Sequence, residues 1–153
     1  MGLKEILRGD LTEAIRSRDE LKSGTIRMVL TAITNEEVAG KQARTLTEPE
    51  LIIVLSREAK KRREAAEAFT DGGRLDRAER EKLEGELITT YLPRQLSNDE
   101  LKQLISAAII QSGAIGPSGM GQVMKIISPE IAGKADGGTV SALVKAALTG
   151  GNS

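Results

Sequence analysis

Residues 90–100, TYLPRQLSNDE, hold the pattern that decides how this chain folds. Pro93 lacks an N–H and pushes the residue before it out of the α region, so a helix arriving from the N-terminal side is expected to end near Leu92. Ser97 is followed three residues later by Glu100, which is the pattern of a capping box at the start of a new helix. This stretch therefore predicts a boundary between two domains.

The part before the boundary shows helical periodicity and no segment that alternates with a period of two. We place the first break between helices at Lys22–Gly24, although the second helix could begin as early as Asp19. Thr47 and Glu50 predict a further capping box, and Gly72–Gly73 predicts a turn between two long charged helices. The first part is thus predicted to be a helical hairpin or bundle.

The part after the boundary is glycine-rich and poor in charge. Residues 97–153 carry four basic and four acidic side chains, whereas the whole chain carries 22 of each sign. Apolar residues at helical spacing predict three or four short helices here, and Asp136 is predicted to cap the last one. We therefore predict an all-α protein, with an N-terminal helical domain over residues 1–95 and a small C-terminal helical domain over residues 97–153.

Composition excludes several kinds of site. The chain has no histidine and no cysteine, which removes the usual neutral-pH general base, the commonest metal ligand, disulfides and thiol nucleophiles. Phe69 and Tyr91 are the only aromatic residues, so a platform for base stacking is not expected. Balanced charge argues against a polyanion binder held by bulk charge. We expect no metal, no cofactor and no DNA partner.

Carboxylates are plentiful, but no pair of them has the contrasting environments that acid–base chemistry needs. We therefore name no catalytic residue. Four glutamates of the fourth helix look exposed and have no evident pocket beside them: Glu79, Glu81, Glu84 and Glu86.

The N-terminus carries charges where a signal peptide would need an apolar run. No stretch approaches the roughly 20 apolar residues that a membrane span requires. We therefore expect a soluble cytoplasmic protein without a membrane partner.

Three segments after the boundary resemble the tail signature shared by the YqeY family and GatB, the B subunit of the amidotransferase that converts glutamyl-tRNA(Gln) or aspartyl-tRNA(Asn). They are MGQVMK at 120–125, GKADG at 133–137 and VSALVK at 140–145. The first part is also similar to YqeY proteins, at Leu3–Glu5, Thr25–Met28, Lys60–Glu64 and Tyr91–Pro93. The resemblance covers nearly the whole chain, in order and without large gaps.

This resemblance implies a class of partner more than a reaction. The tail domain of GatB contacts tRNA, while its chemistry belongs to a separate catalytic domain that has no counterpart in these 153 residues. The family label of carbon–nitrogen ligase, with glutamine as amide donor, therefore implies no catalysis by this chain alone.

Two groups of residues are candidates for contact with RNA. In the first, glycines and helix starts would expose backbone amides to phosphates while lysines add charge; its members are Gly119, Gly121, Lys125, Gly133, Lys134 and Lys145. For any one glycine, a role in turns or close helix packing is the favoured alternative. The second is a basic patch formed by Arg57, Lys60 and Lys61. It is either a second phosphate contact or, as we favour, a solvated face paired with nearby glutamates.

We therefore favour a non-catalytic RNA-binding or adaptor protein that recognises tRNA, or a tRNA-associated protein, through its C-terminal domain. One alternative is a part in tRNA-dependent amidation or other glutamine-dependent carbon–nitrogen ligation. Another is a protein–protein interaction module whose long charged helices bind a partner.

Overall fold

A computed structural model of the protein describes residues 1–150. In it, side chains at the N-terminal ends of several helices cap the helix starts. Within that range the chain forms seven α-helices and one short 3-10 helix, and no strand. This confirms the prediction of an all-α fold. The α-helices are α1 Leu3–Arg16, α2 Glu20–Glu37, α3 Glu48–Asp71, α4 Leu75–Thr89, α5 Asn98–Ser112, α6 Met120–Ile131 and α7 Gly137–Leu148, and the 3-10 helix Pro117–Gly119 precedes α6.

The helices group into two compact units. The N-terminal unit comprises Met1–Leu92, and the C-terminal unit begins at Pro93. Residues 93–96 belong to the C-terminal unit because they are hydrogen-bonded to the turn between α6 and α7. The Leu96 amide donates to the Lys134 carbonyl at 2.9 Å, and the Gln95 side chain donates to the Gly133 carbonyl at 2.8 Å.

The break between α1 and α2 lies earlier than the favoured position at Lys22–Gly24, and the alternative start at Asp19 is confirmed. The Asp19 side chain accepts a hydrogen bond from the Lys22 amide at 3.0 Å and caps α2 there. Arg18 before it adopts a left-handed conformation, with φ of 59°, which turns the chain between the two helices. Gly24 therefore lies inside α2, where an N-cap side chain outweighs its low helix propensity.

The core of the N-terminal unit is formed by one side of each of its four helices. Leu7, Ile26, Ile33, Leu55 and Ile88 are its largest fully buried side chains. The buried residues of α3 all lie in its first half, between positions 51 and 59. The second half of α3 extends along α4 with few buried apolar residues, and the predicted antiparallel pair around the Gly72–Gly73 turn is confirmed.

Polar contacts to the carboxylates of Glu37 and Asp10 join distant parts of the N-terminal unit. Lys4 donates to Glu37 at 2.8 Å, and the Leu46 amide donates to the same carboxylate at 3.3 Å. The hydrogen bond from Lys4 is the main cause that lowers the pKa of Glu37. The Tyr91 hydroxyl donates to Asp10 at 2.6 Å, and burial together with this carboxylate raises the pKa of Tyr91. These contacts tie α1 to the ends of α2 and α4.

The C-terminal unit has its own apolar core between α5, α6 and α7. The buried residues of these helices recur at helical spacing, and they are Leu101, Ile105, Ala108, Val123, Ile127, Ile131, Val140, Val144 and Leu148. The predicted caps are confirmed: Ser97 and Glu100 form a capping box on α5, and Asp136 accepts from the Thr139 amide at 3.0 Å. Local capping and apolar periodicity thus define the unit that carries the first candidate surface.

Candidate nucleic-acid interface

The three lysines of the predicted RNA surface are all exposed. Lys125 lies on α6 two positions from both Val123 and Ile127, which are buried, so it projects from the opposite side of that helix. Lys134 lies in the turn after α6, and Lys145 lies in the last turn of α7. None of the three forms an ion pair within residues 1–150. Their ammonium groups are therefore available to an anionic partner.

Two of the carboxylates in the same unit are occupied by its own helix starts. The Glu100 carboxylate accepts hydrogen bonds from Nη1 and Nη2 of Arg94, at 3.0 and 2.8 Å, and from the Ser97 amide at 3.1 Å. The hydrogen bond from Arg94 is the largest cause that lowers the pKa of Glu100 to about 2. Asp136 accepts from the amide and the hydroxyl of Thr139.

The three candidate glycines have different surroundings. A Cβ added at Gly119 would overlap the Cβ of Ala114, so Gly119 permits a close approach before α6. Gly133 has a φ of 73° and ends the turn after α6 in a conformation that favours glycine. A Cβ at Gly121 would meet no atom within 4 Å, which leaves space at the first turn of α6. Gly119 and Gly133 thus serve the fold, while Gly121 is open to solvent.

The secondary basic patch is held by ion pairs. Arg57 of α3 lies 3.4 Å from Glu36 of α2, and Lys61 lies 3.3 Å from Glu58 one turn before it. Lys60 is exposed on the same helix. These pairs agree with the interpretation of a solvated, salt-bridged face and reduce the charge that this patch offers to phosphate.

Arg62, the residue after Lys61, lies between α3 and α4. Its guanidinium contacts Glu81 at 3.0 Å and Glu84 at 3.8 Å, and all three side chains are largely shielded from solvent. Gly85 allows this approach, since a Cβ there would lie 3.2 Å from the Cβ of Arg62. The expectation that Glu81 and Glu84 are exposed is therefore wrong. No local sequence signal pairs residues that lie 19 positions apart.

A shallow groove of about 420 Å³ runs along α3 and α4 beside this network, so the expectation of no pocket on α4 is also wrong. Its floor includes Ala66 and Gly85, which are small enough to leave the space open. Its walls carry both signs of charge, from Arg63, Glu67, Glu81, Lys82 and Glu86. Within residues 1–150, no group of three or more acidic side chains could hold a metal ion.

The fold defines a small all-α protein with exposed lysines on its C-terminal unit. The family model described as Yqey-like protein matches residues 4–148. The chain therefore belongs to the YqeY family.

Curated relatives match shorter stretches of the chain. An uncharacterized protein of Schizosaccharomyces pombe is 31% identical over 97 residues, which are 63% of this chain and 76% of that protein. The protein named altered inheritance of mitochondria protein 41, mitochondrial, from Eremothecium gossypii is 34% identical over 86 residues, 56% of this chain and 46% of its own length. The protein of the same name from Saccharomyces cerevisiae (strain YJM789) is 30% identical over 114 residues, 71% and 61% of the two chains. The matched segment thus spans about half or somewhat more of these mitochondrial relatives.

The predicted cytoplasmic location is wrong by this comparison, because the names of these relatives place them in mitochondria. Charges near the first residue are a weak guide to compartment, since organelle targeting depends on features other than an apolar signal segment. No helix within residues 1–150 is both long and apolar enough to cross a membrane.

Proposed function

We propose that this protein is a non-catalytic RNA-binding or adaptor protein that recognises tRNA by shape through its C-terminal unit. The observation that carries the proposal is that Lys125, Lys134 and Lys145 are exposed and form no ion pair within residues 1–150. By contrast, Arg57 and Lys61 of the other basic patch are paired with glutamates.

The composition of the C-terminal unit favours recognition of the RNA backbone over recognition of bases. Neither of the chain's two aromatic residues, Phe69 and Tyr91, lies in this unit, so bases have no aromatic side chain on which to stack. Lysines and the amides at a helix start contact phosphates, whose positions depend on the shape of the RNA and carry no sequence information. A surface with only three such lysines supports weak binding, because affinity rises with the number of phosphates neutralised.

The family resemblance supports the same partner. The segments that hold Lys125, Lys134 and Lys145 are the ones that resemble the tail of GatB, a domain that contacts tRNA. Amidation remains the rival prediction. An ammonia-release assay with glutamine, ATP and mischarged tRNA separates the two, since an adaptor alone shows no turnover.

Filter binding with bulk tRNA at low salt tests the proposal. The wild type is expected to bind, and the double substitution Lys125→Glu plus Lys134→Glu is expected to weaken binding by more than tenfold, since it replaces two phosphate-binding cations by anions. A matched control is Lys41→Glu plus Lys82→Glu, which makes the same change of charge at exposed lysines of the N-terminal unit. Failure of the wild type to bind, or an equal loss in the control, contradicts the proposal.

A further inference from the structure

A row of polar side chains covers the solvent side of α2 and has no role in the fold. It consists of Arg27, Thr31, Thr34 and Asn35, which together with Leu30 line a shallow depression of about 370 Å³. We call these four residues the α2 polar face. They lie at positions i, i+4, i+7 and i+8, so they form one stripe about 12 Å long.

The α2 polar face lies away from the core of the N-terminal unit. Ile26, Val29 and Ile33 are the buried apolar residues of the same helix, and a turn of about 100° per residue places the stripe on nearly the opposite side. The four side chains of the face are all exposed. They are therefore not needed to fill or close the core.

The hydrogen-bonding groups of this face are uncommitted. Within residues 1–150, none of its four side chains donates or accepts a hydrogen bond or forms an ion pair. Other threonines of these helices behave differently: the hydroxyls of Thr25, Thr70 and Thr89 donate to the carbonyl four residues earlier. The hydroxyls of Thr31 and Thr34 are thus left for an external partner.

The charge of the face is positive and local. Arg27 is the only charged residue between positions 23 and 35 of α2. The nearest acidic residue along the helix is Glu20, seven positions before Arg27, and it forms no ion pair within residues 1–150. Glu36 and Glu37, at the other end of the helix, are paired with Arg57 and Lys4 respectively. The Arg27 guanidinium therefore has no carboxylate partner within residues 1–150, unlike Arg57 of the secondary basic patch.

We propose that the α2 polar face binds the sugar–phosphate backbone of a structured RNA. A guanidinium offers paired donors to one phosphate, and threonine hydroxyls and an asparagine amide can both donate to phosphate and exchange hydrogen bonds with a ribose 2′-hydroxyl. A protein partner is disfavoured, because the centre of a protein interface is depleted in charge and rich in large apolar residues, whereas this face has only the half-buried Leu30. The inference rests on the proposed function, since it takes RNA as the partner.

The test measures the affinity of the full chain for bulk tRNA over a series of salt concentrations. Arg27→Gln is expected to weaken binding roughly fivefold and to reduce the slope of log affinity against log salt by about one, as loss of one phosphate contact predicts. Thr31→Val plus Thr34→Val is expected to weaken binding and leave the slope unchanged, because it removes hydroxyls and no charge. Circular dichroism checks that each variant is folded.

Arg77→Gln is the matched control, since Arg77 is also exposed on a helix of the same unit and forms no ion pair within residues 1–150. It is expected to keep both affinity and slope. If the wild type binds tRNA and Arg27→Gln binds it with the same affinity and the same salt slope, this inference is overturned and the proposed function is not. If Arg27→Gln loses affinity for tRNA while the double variant Lys125→Glu plus Lys134→Glu does not, this inference is supported and the proposed surface on the C-terminal unit is overturned. A wild type that does not bind tRNA overturns both.

Discussion

The starts of α3 and α5 show the same local arrangement in two different units. The sequence is RTLTEPE at residues 44–50 and RQLSNDE at residues 94–100. In each, a threonine or serine caps the helix, the glutamate three residues on bonds back to it, and an arginine six residues before that glutamate pairs with both of its oxygens. The leucine before each cap packs against its own unit's core. The same seven-residue pattern therefore builds a helix start in each of the two units.

The two helix starts differ in the hydrogen bond and in the packing of the leucine before the cap. The amide of Leu46 donates to the Glu37 carboxylate, whereas the amide of Leu96 donates to the backbone carbonyl of Lys134. Leu46 is buried, with 5% of its surface exposed, and Leu96 is half-buried. The first start is thus fixed by a charged side chain and deep packing, and the second by a backbone hydrogen bond and shallower packing.

Truncating the two leucines should give the largest difference. Leu46→Ala is expected to lower the free energy of unfolding of the N-terminal unit by about 3 kcal/mol, and Leu96→Ala that of the C-terminal unit by only about 1.5 kcal/mol, because the cost follows burial. Urea titration followed by circular dichroism measures both. Val38→Ala, at a residue 57% exposed, is the control and should cost less than about 0.5 kcal/mol. Equal costs for the two leucines would show that burial does not separate the two starts.

Removing the caps should give nearly equal effects. Thr47→Ala and Ser97→Ala are each expected to cost about 1 kcal/mol, since each leaves one amide at a helix start without its partner. Urea titration followed by circular dichroism measures both losses of stability. The conservative substitutions Thr47→Ser and Ser97→Thr keep a capping hydroxyl and should therefore retain most of the stability that the alanine variants lose. If one of these two variants is as unstable as its alanine counterpart, the two helix starts are not equivalent.

The smallest effect concerns proton binding. The pKa of the Glu100 carboxyl is lowered from its ordinary value of 4.5 to about 2, mainly by the hydrogen bond from Arg94. A carboxylate with a lowered pKa in the folded state stabilises it above pH 4.5, and that contribution is lost as the pH falls from 4.5 towards 2. Arg94→Gln is expected to raise the pKa of Glu100 and so to reduce the acid dependence of stability.

Titration of the Glu100 carboxyl carbon by NMR measures this change. Glu50 provides an internal control, because its pKa is lowered chiefly by Arg44 and should not respond to a change at Arg94. Arg44→Gln should produce the reverse pattern. A shift of both glutamates by one substitution would contradict the independence of the two helix starts.

Sequence reasoning located the features that depend on neighbours along the chain. The caps at Thr47, Ser97 and Asp136 could be predicted because donor and acceptor are three residues apart. The sequence favours a break at Lys22–Gly24 over the observed start at Asp19 because Gly24 is a stronger visible signal than the aspartate cap. Glycine lowers helix propensity by only about 1 kcal/mol, which tertiary packing readily outweighs.

Features that join separate helices could not be predicted. The contact of Arg62 with Glu81 depends on how α3 and α4 approach each other at Gly85. The four consecutive basic residues 60–63 give no indication in the sequence of which of them turns inward. The α2 polar face was missed for the opposite reason. Its residues are chemically ordinary, and they stand out only once their position on one side of α2 and around one depression is known.

Tyr91 gives the protein a built-in optical label. It is the only tyrosine, and the chain has no tryptophan, so absorbance and emission in the near ultraviolet report on one side chain of the N-terminal unit. Burial, together with the hydrogen bond to Asp10, raises the pKa of Tyr91 and keeps its hydroxyl protonated above the ordinary value of 10.0. At a pH just above that value, appearance of the phenolate band therefore records the opening of the N-terminal unit, while the C-terminal unit contributes no signal.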